Sequence, residues 1–370
     1  MKDPRNAKLA NVLLNHSIKV KPGENVLISA HTLAKPLVLE LIKKVHTMGA
    51  FPITRLRDPE VTRLTQRAMT EEMAKRMYEG DIEMYKRVDK FLSIYSDENV
   101  FETSDVPAKG LELWAGKYWE PMRDQMPAIK NNGWVVLNYP NSAMAQMAKM
   151  STEAFEKYYF KVCTMDYAKM GKAMEPLKEM MDKAERVKIL GADTDLTFSI
   201  KGNIAEQCDG SCNIPDGEVF SAPVPESVNG KIVFDIPTEY RGVMHKDIAL
   251  TFKGGKAIKA TSNDTKALNK VLDSDTGARY TGEFAFGLHP LITKPMGDIL
   301  FDEKIGGSMH MAMGDAYPET VGAGNTLNKS QVHWDMIRSG KDTEIYLDDT
   351  LVRKNGKFTL PNLEPLDHLI

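Results

Sequence analysis

The chain has 370 residues, with 48 Lys and Arg against 51 Asp and Glu, 27% charged and 42% hydrophobic. This is ordinary globular usage: it excludes a disordered chain, and a formal net charge of -3 gives no basic footprint for nucleic acid as the main partner. Single cores stop growing at about 250 to 300 residues, so two lobes are expected, and no apolar run approaches the length of a membrane span.

The opening, Met1 to Ala10, places Asp3, Pro4 and Arg5 where a secretory signal would build an apolar region, so a cytoplasmic protein is expected. Asn25 to Ala30 then reads as a strand, and Ala34 to Met48 carries a helical period that ends at Gly49. Further strands are expected at Pro52 to Leu56, Asp89 to Tyr95 and Trp134 to Tyr139, with helical stretches such as Thr70 to Met84 and Thr152 to Tyr159. This alternation predicts a parallel sheet with helices on both faces, an α/β N-terminal domain over residues 1–185.

From Arg186 the texture changes. Helix signals thin out to Thr265 to Asp273, and strand signals come in pairs. Ala249 to Phe252 and Ala257 to Ala260 flank Lys253-Gly254-Gly255-Lys256, while Asp348 to Arg353 and Phe358 to Leu360 flank Asn355-Gly356. Both read as hairpins, because Gly and Asn suit consecutive positive-φ positions. Residues 186–370 are therefore expected to form a mainly antiparallel β (α+β) domain.

Three cysteines, Cys163, Cys208 and Cys212, are too few for a disulfide framework. Cys208 and Cys212 lie four apart with no second pair to complete a zinc site, so all are read as structural thiols.

The unusual residues cluster in the second half. Glu283 sits among aromatic and small residues where a strand pattern would bury it, and a buried carboxylate is costly without a cation or donor. In a period-two reading Met309, Met311 and Met313 share one face, leaving His310 on the other among small neighbours. His333 and Asp335 lie two apart and so face one side, with Trp334 opposite. Glu218, Glu283, His310, His333 and Asp335 could supply terminal ligands and a bridging carboxylate for two divalent ions such as zinc, cobalt or manganese. No short metal motif of the His-Glu-x-x-His type is present, and a hydrogen-bonded core histidine is the plainer reading of His310.

Four segments in order carry a family resemblance: Gly217-Glu218-Val219-Phe220-Ser221-Ala222-Pro223, Gly282-Glu283-Phe284-Ala285-Phe286-Gly287, Asp302-Glu303-Lys304-Ile305-Gly306-Gly307-Ser308-Met309-His310, and His333-Trp334-Asp335. Through them the sequence resembles the M29 metallo-aminopeptidases over nearly its whole length, more softly in the N-terminal part. The resemblance implies an α/β domain, a C-terminal catalytic domain, a homodimer, and peptide substrates with a free N-terminus. It also implies that Glu218, Glu283, His310, His333 and Asp335 hold the metals and that Tyr317 lies beside them, donating to the developing oxyanion or touching a metal. The stretch from Met311 to Val332 is shorter than the family pattern, which bears on the loop after Tyr317. A general base is also needed; Glu303 and Glu218 qualify by residue type and Glu303 is favoured, although a surface ion pair with Lys304 is an equal reading.

The remaining candidates take plainer readings. His16, His31, His46, His245, His289 and His368 are structural or surface residues, and the 22 Met are core filling. Asp275, Asp298, Asp302 and Asp315 sit in turn-like contexts, and Val321 to Asn325 reads as a flexible turn bordering the metal site. Two other functions stay open: a different two-metal amide or ester hydrolase, and a non-enzymatic α/β protein holding a small ligand at strand C-termini.

Overall fold

A computed structural model describes residues 3–369. The chain divides into two compact units. The first runs to Met165 and takes in Gly210–Pro215; the second holds Asp166–Asp209 and the chain from Asp216 onward.

The first unit is built on five parallel strands in the order Phe51–Arg57, Asn25–His31, Lys90–Tyr95, Trp134–Asn138, Asn213–Ile214. Val26 through His31 are all buried; since successive side chains point to opposite faces, both faces of that strand are covered. Helices begin where the sequence supplies caps: Asp58 accepts from the backbone N–H groups of Glu60 and Val61, and Thr70 accepts from that of Met73.

In the second unit eight strands form an antiparallel sheet in the order Lys256–Thr261, Ile248–Lys253, Asn229–Phe234, Thr194–Ser199, Arg186–Gly191, Thr343–Leu347, Thr350–Lys354, Lys357–Phe358. Both expected hairpins form. Gly254 and Gly255 have φ of +54 and +83, and Asn355 and Gly356 have φ of +51 and +76, as turns with two left-handed residues require. A second antiparallel sheet runs His333–Arg338, Met309–Gly314, Thr281–Gly287, Glu218–Ser221, Glu206–Cys208.

The α/β and antiparallel-β regions match the expected fold class. Helix Tyr167–Lys183, placed with the first lobe on texture, groups with the second unit. It buries Tyr167, Met170, Met174, Leu177 and Met181 and packs against Glu206–Cys208 and Glu218–Ser221. Among the described residues no helix is long and apolar enough to cross a membrane.

Candidate metal centre

Strand register assembles the site. Glu283 pairs with Ala312 and Ala312 with Asp335; Phe220 pairs with Ala285 and Ala285 with His310; Gly314 pairs with His333. With side chains alternating, Glu218, Glu283, His310, His333 and Asp335 fall on one face, while Phe284, Phe286, Met309, Met311, Met313 and Trp334 fill the core on the other. Burial of the apolar face thus fixes which way the polar residues point. Gly314 has φ of +99, and a Cβ there would lie 2.0 Å from the Val332 carbonyl oxygen. Only glycine fits where the strand turns toward Asp315, whose carbonyl meets His333.

The five side chains form two groups of three donors, Glu218 with Glu283 and His310, and Glu283 with His333 and Asp335. Glu283 belongs to both. Its Oε1 lies 3.1 Å from His310 Nε2, and its Oε2 lies 3.6 Å from His333 Nε2. The remaining oxygens close each group: Glu218 Oε2 is 3.5 Å from His310 Nε2, and Asp335 Oδ1 is 3.5 Å from His333 Nε2.

Two features fit divalent cations. Glu218 Oε2 and Asp335 Oδ1 are buried without a hydrogen-bond partner, a costly state that coordination would relieve. Both imidazoles are also anchored through the far nitrogen: His310 Nδ1 lies 3.2 Å from the Glu303 carbonyl oxygen, and His333 Nδ1 lies 2.9 Å from that of Asp315. A carbonyl only accepts, so each Nδ1 carries a proton and each Nε2 is left facing the carboxylates, free to hold a cation or a second proton.

The electrostatics of these side chains point the same way. Burial disfavours an imidazolium at His310 and His333, but the Glu283, Glu218 and Asp335 carboxylates outweigh it and push the two up to about 9 and about 10. Burial raises the Glu283 carboxyl and opposes ionisation of Asp335, yet His333 holds Asp335 well below the ordinary range. Protons on the imidazoles here do what a cation would do.

Lys304, for which a surface ion pair with Glu303 was one of two equal readings, does pair with Glu303 but is 1% exposed. Its Nζ lies 2.5 Å from Glu218 Oε1, 2.7 Å from Glu303 Oε1 and 3.5 Å from Asp216 Oδ1. The ammonium fills the space beside a third possible donor group, Cys208 with Asp216 and Glu218. Burial and the nearby carboxylates push the Cys208 thiol up, in keeping with a protonated structural thiol. Nothing local in the sequence marks Lys304 as buried; the Asp216-Gly217-Glu218 and Glu303-Lys304 pairings were the available hint.

Glu303 borders the cluster with its side chain 12% exposed. Burial pushes its carboxyl up to about 8, with Lys304 pulling down and Glu218 and Asp335 pushing up. Tyr317 is 43% exposed, its ring 5.1 Å from His333 and 5.6 Å from Phe220. Loss of hydration and the Glu283 and Asp335 carboxylates raise its phenol, keeping it a hydrogen-bond donor.

The residues set aside stay outside the cluster. Asp302 accepts from the backbone N–H groups of Met296 and Gly297, and Asp275 from those of Gly277, Ala278 and Gln331, so both serve the backbone. His245 packs edge-on against Trp334, and His289 Nδ1 accepts from the Leu291 N–H. The turn at Val321 to Asn325 is tied down: Gly322 N–H and the Asn325 amide both donate to Asn203 Oδ1.

A largely buried set of three carboxylates and two imidazoles, with His333 at its open side, fits divalent cations of the zinc, cobalt and manganese kind. The chain belongs to the thermophilic metalloprotease (M29) family, whose sequence model matches residues 2–358. It is 25% identical over 364 residues to Aminopeptidase 2 of Geobacillus stearothermophilus, covering 88% of this chain and 87% of that protein. It is 25% identical over 385 residues to Aminopeptidase PepS of Streptococcus thermophilus, covering 89% and 91%. Wild-type AmpT from Thermus thermophilus shares its fold with a TM-score of 0.82 at 20% identity, over 96% of this chain and 99% of that one. A dioxygenase of Pseudomonas putida KT2440, named for 2,5-dihydroxypyridine, also shares it, with a TM-score of 0.62 at 13% identity over 97% and 99%. Chains with this fold thus carry names of two unrelated reactions, so fold alone does not choose the chemistry. The family does: it is one of metalloproteases, and the curated relatives are aminopeptidases, which sets aside a non-enzymatic binding protein.

Proposed function

We propose that this protein is a metal-dependent aminopeptidase that removes the N-terminal residue of peptides at a site for two divalent ions. The carrying observation is that Glu283 belongs to both donor groups, as a bridging carboxylate must. Glu218 and His310 would complete one ion's protein ligands, His333 and Asp335 the other's, with zinc, cobalt or manganese as the suitable metals. When bound, such a pair supplies positive charge that polarises the scissile carbonyl and acidifies water near neutral pH.

The chain's own groups do the rest. Glu303 takes the proton of the attacking water and hands it to the departing amine; it borders the cluster, buried beside Lys304. Lys304 fixes the Glu303 and Glu218 carboxylates in place. Tyr317, at the open side of His333, donates its phenolic hydrogen to the oxyanion that develops on the substrate carbonyl. The free substrate amine is taken by a carboxylate of the cluster, which makes a free N-terminus a requirement. The second unit, which holds all five cluster residues, would then be the catalytic one, in a cytoplasmic protein that forms a homodimer as the family likeness implies.

The test compares release of the N-terminal residue from a Leu-peptide and its N-acetylated twin, after chelation and after zinc, cobalt or manganese is restored. Cleavage of the free peptide alone, lost with chelator and regained with metal, is expected. Equal cleavage of the acetylated twin points instead to a general amide hydrolase.

A further inference from the structure

The first unit holds a cavity of about 700 Å³ at the C-terminal ends of its parallel strands, within the size range of small-molecule sites. In the strand order, Phe51–Arg57 lies on one side of Asn25–His31 and Lys90–Tyr95 on the other. The chain therefore reverses its direction of travel across the sheet at the central strand, and segments leaving neighbouring strand ends diverge to leave a crevice.

The sheet face lining this crevice breaks the rule for parallel strands, whose buried faces are normally apolar. On that face Leu27 and Phe91 belong to the apolar core, but one step further along the strands Ser29 and Ser93 stand in register with each other and with Arg55. Beyond them come His31 and, paired with it, Arg57. Two buried serines where the core would place large side chains make the hollow. Aromatic rings of Tyr85, Trp114 and Trp119 wall it.

Charge in the crevice is unbalanced at one residue. Arg55 is paired with Asp81 at 2.7 Å, and the lining carboxylates are engaged: Asp58 caps the helix Pro59–Arg67, Asp97 lies 3.3 Å from His31 Nδ1, and Glu102 lies 3.8 Å from Arg63. Arg57 is stacked 4.9 Å over the Tyr95 ring, but its Nε and Nη2 are buried without a hydrogen-bond partner among the described residues. A guanidinium has five N–H donors in a fork shaped for carboxylate or phosphate, and leaving it unmatched beside a hollow is costly. From this geometry we infer that the crevice is a second binding site, separate from the metal cluster, for a small organic anion. Arg57 receives the carboxylate or phosphate, and the aromatic wall receives a planar or apolar body. Neither the family relationship nor the catalytic cluster accounts for these residues.

The experiment is calorimetric titration of the metal-loaded full chain with N-acetyl-L-phenylalanine, with phenyl phosphate, and with the neutral N-acetyl-L-phenylalaninamide. At least one anion is expected to bind, the amide roughly tenfold more weakly or less, and Arg57→Gln to lose roughly tenfold or more of the anion affinity, the scale of a charge-assisted hydrogen bond. Whichever anion binds tighter identifies the carboxylate or the phosphate as the natural group. Arg57→Gln should cleave a Leu-peptide at the wild-type rate, since Arg57 is not one of the residues that hold the metals or move the proton. Hydrogen exchange on the wild type gives a readout independent of any variant: saturating anion should protect segments 29–32, 55–62 and 93–103. Absence of binding at millimolar anion, equal binding of the amide, unchanged affinity in Arg57→Gln, or protection confined to 281–287 and 309–314 would each overturn the inference.

Discussion

The two units place polar residues on buried strands in opposite ways. In the parallel sheet, the buried polar side chains of Ser29, His31 and Ser93 are small or neutral groups that backbone can satisfy; His31 Nδ1, for instance, accepts the Ser96 N–H at 3.1 Å. In the antiparallel sheet, Glu283 and His310 sit inside strands buried along their whole length, Thr281–Gly287 and Met309–Gly314. Backbone carbonyls anchor the imidazoles, but the carboxylate charge must be met by other side chains or by ions. A carboxylate on a strand buried along its whole length is therefore a stronger sign of chemistry than a buried hydroxyl.

Replacing the shared residue strikes that comparison hardest. Glu283→Ala removes a donor from both groups, and peptide hydrolysis should fall below detection while the fold survives, as checked by turnover and circular dichroism. Substantial remaining activity would place the chemistry elsewhere. Lys304→Met comes next, because it leaves the Glu218, Glu303 and Asp216 carboxylates buried without their cation. A loss of about 3 to 5 kcal/mol in urea denaturation is expected, and a loss under about 1 kcal/mol would mean that water already reaches these groups.

Tyr317→Phe should lower kcat by ~10² with little change in KM, the usual effect of removing one oxyanion donor. An effect on KM alone would make Tyr317 a substrate-packing residue. Chelated protein should also respond to pH. His310 and His333 are raised to about 9 and about 10, and Glu303 to about 8, so the folded state binds more protons than the unfolded one above pH ~4.5. Stability should therefore fall as pH rises from 6 to 10, by roughly 1.4 kcal/mol per pH unit for each net proton. Asp335, held low, contributes a constant amount in this range. Loading with metal, which displaces those protons, should flatten the slope; an equally steep slope with metal bound would separate the imidazoles from the cations. The smallest effect belongs to a site remote from the cluster. Asp264 accepts from the Ala267 N–H at 2.9 Å as a helix cap, and Asp264→Ala should cost about 1 kcal/mol without altering turnover.

Much of the scaffold was legible because its signals are local. Strands at Asn25, Phe51, Lys90 and Trp134 and both glycine hairpins follow from alternation, apolar runs and turn chemistry. Helix Tyr167–Lys183 was hidden by Pro176 in its interior, which removes a backbone donor and mimics a break. The strand Asn213–Ile214 could not be read either: two residues carry no period, and their place is set by pairing with Val136 and Leu137 far back in the chain. At the site, the two-residue spacing of His333 and Asp335 and the methionines flanking His310 told which face each residue takes. Distances between strands were not legible, nor was the burial of Lys304, because both arise from sheet register and packing.

The most direct test of the shared carboxylate counts ions per chain. Metal content after dialysis should be two in the wild type, one in Asp335→Ala, and close to none in Glu283→Ala. A wild-type content of one, or two ions retained in Glu283→Ala, would contradict a centre bridged by Glu283.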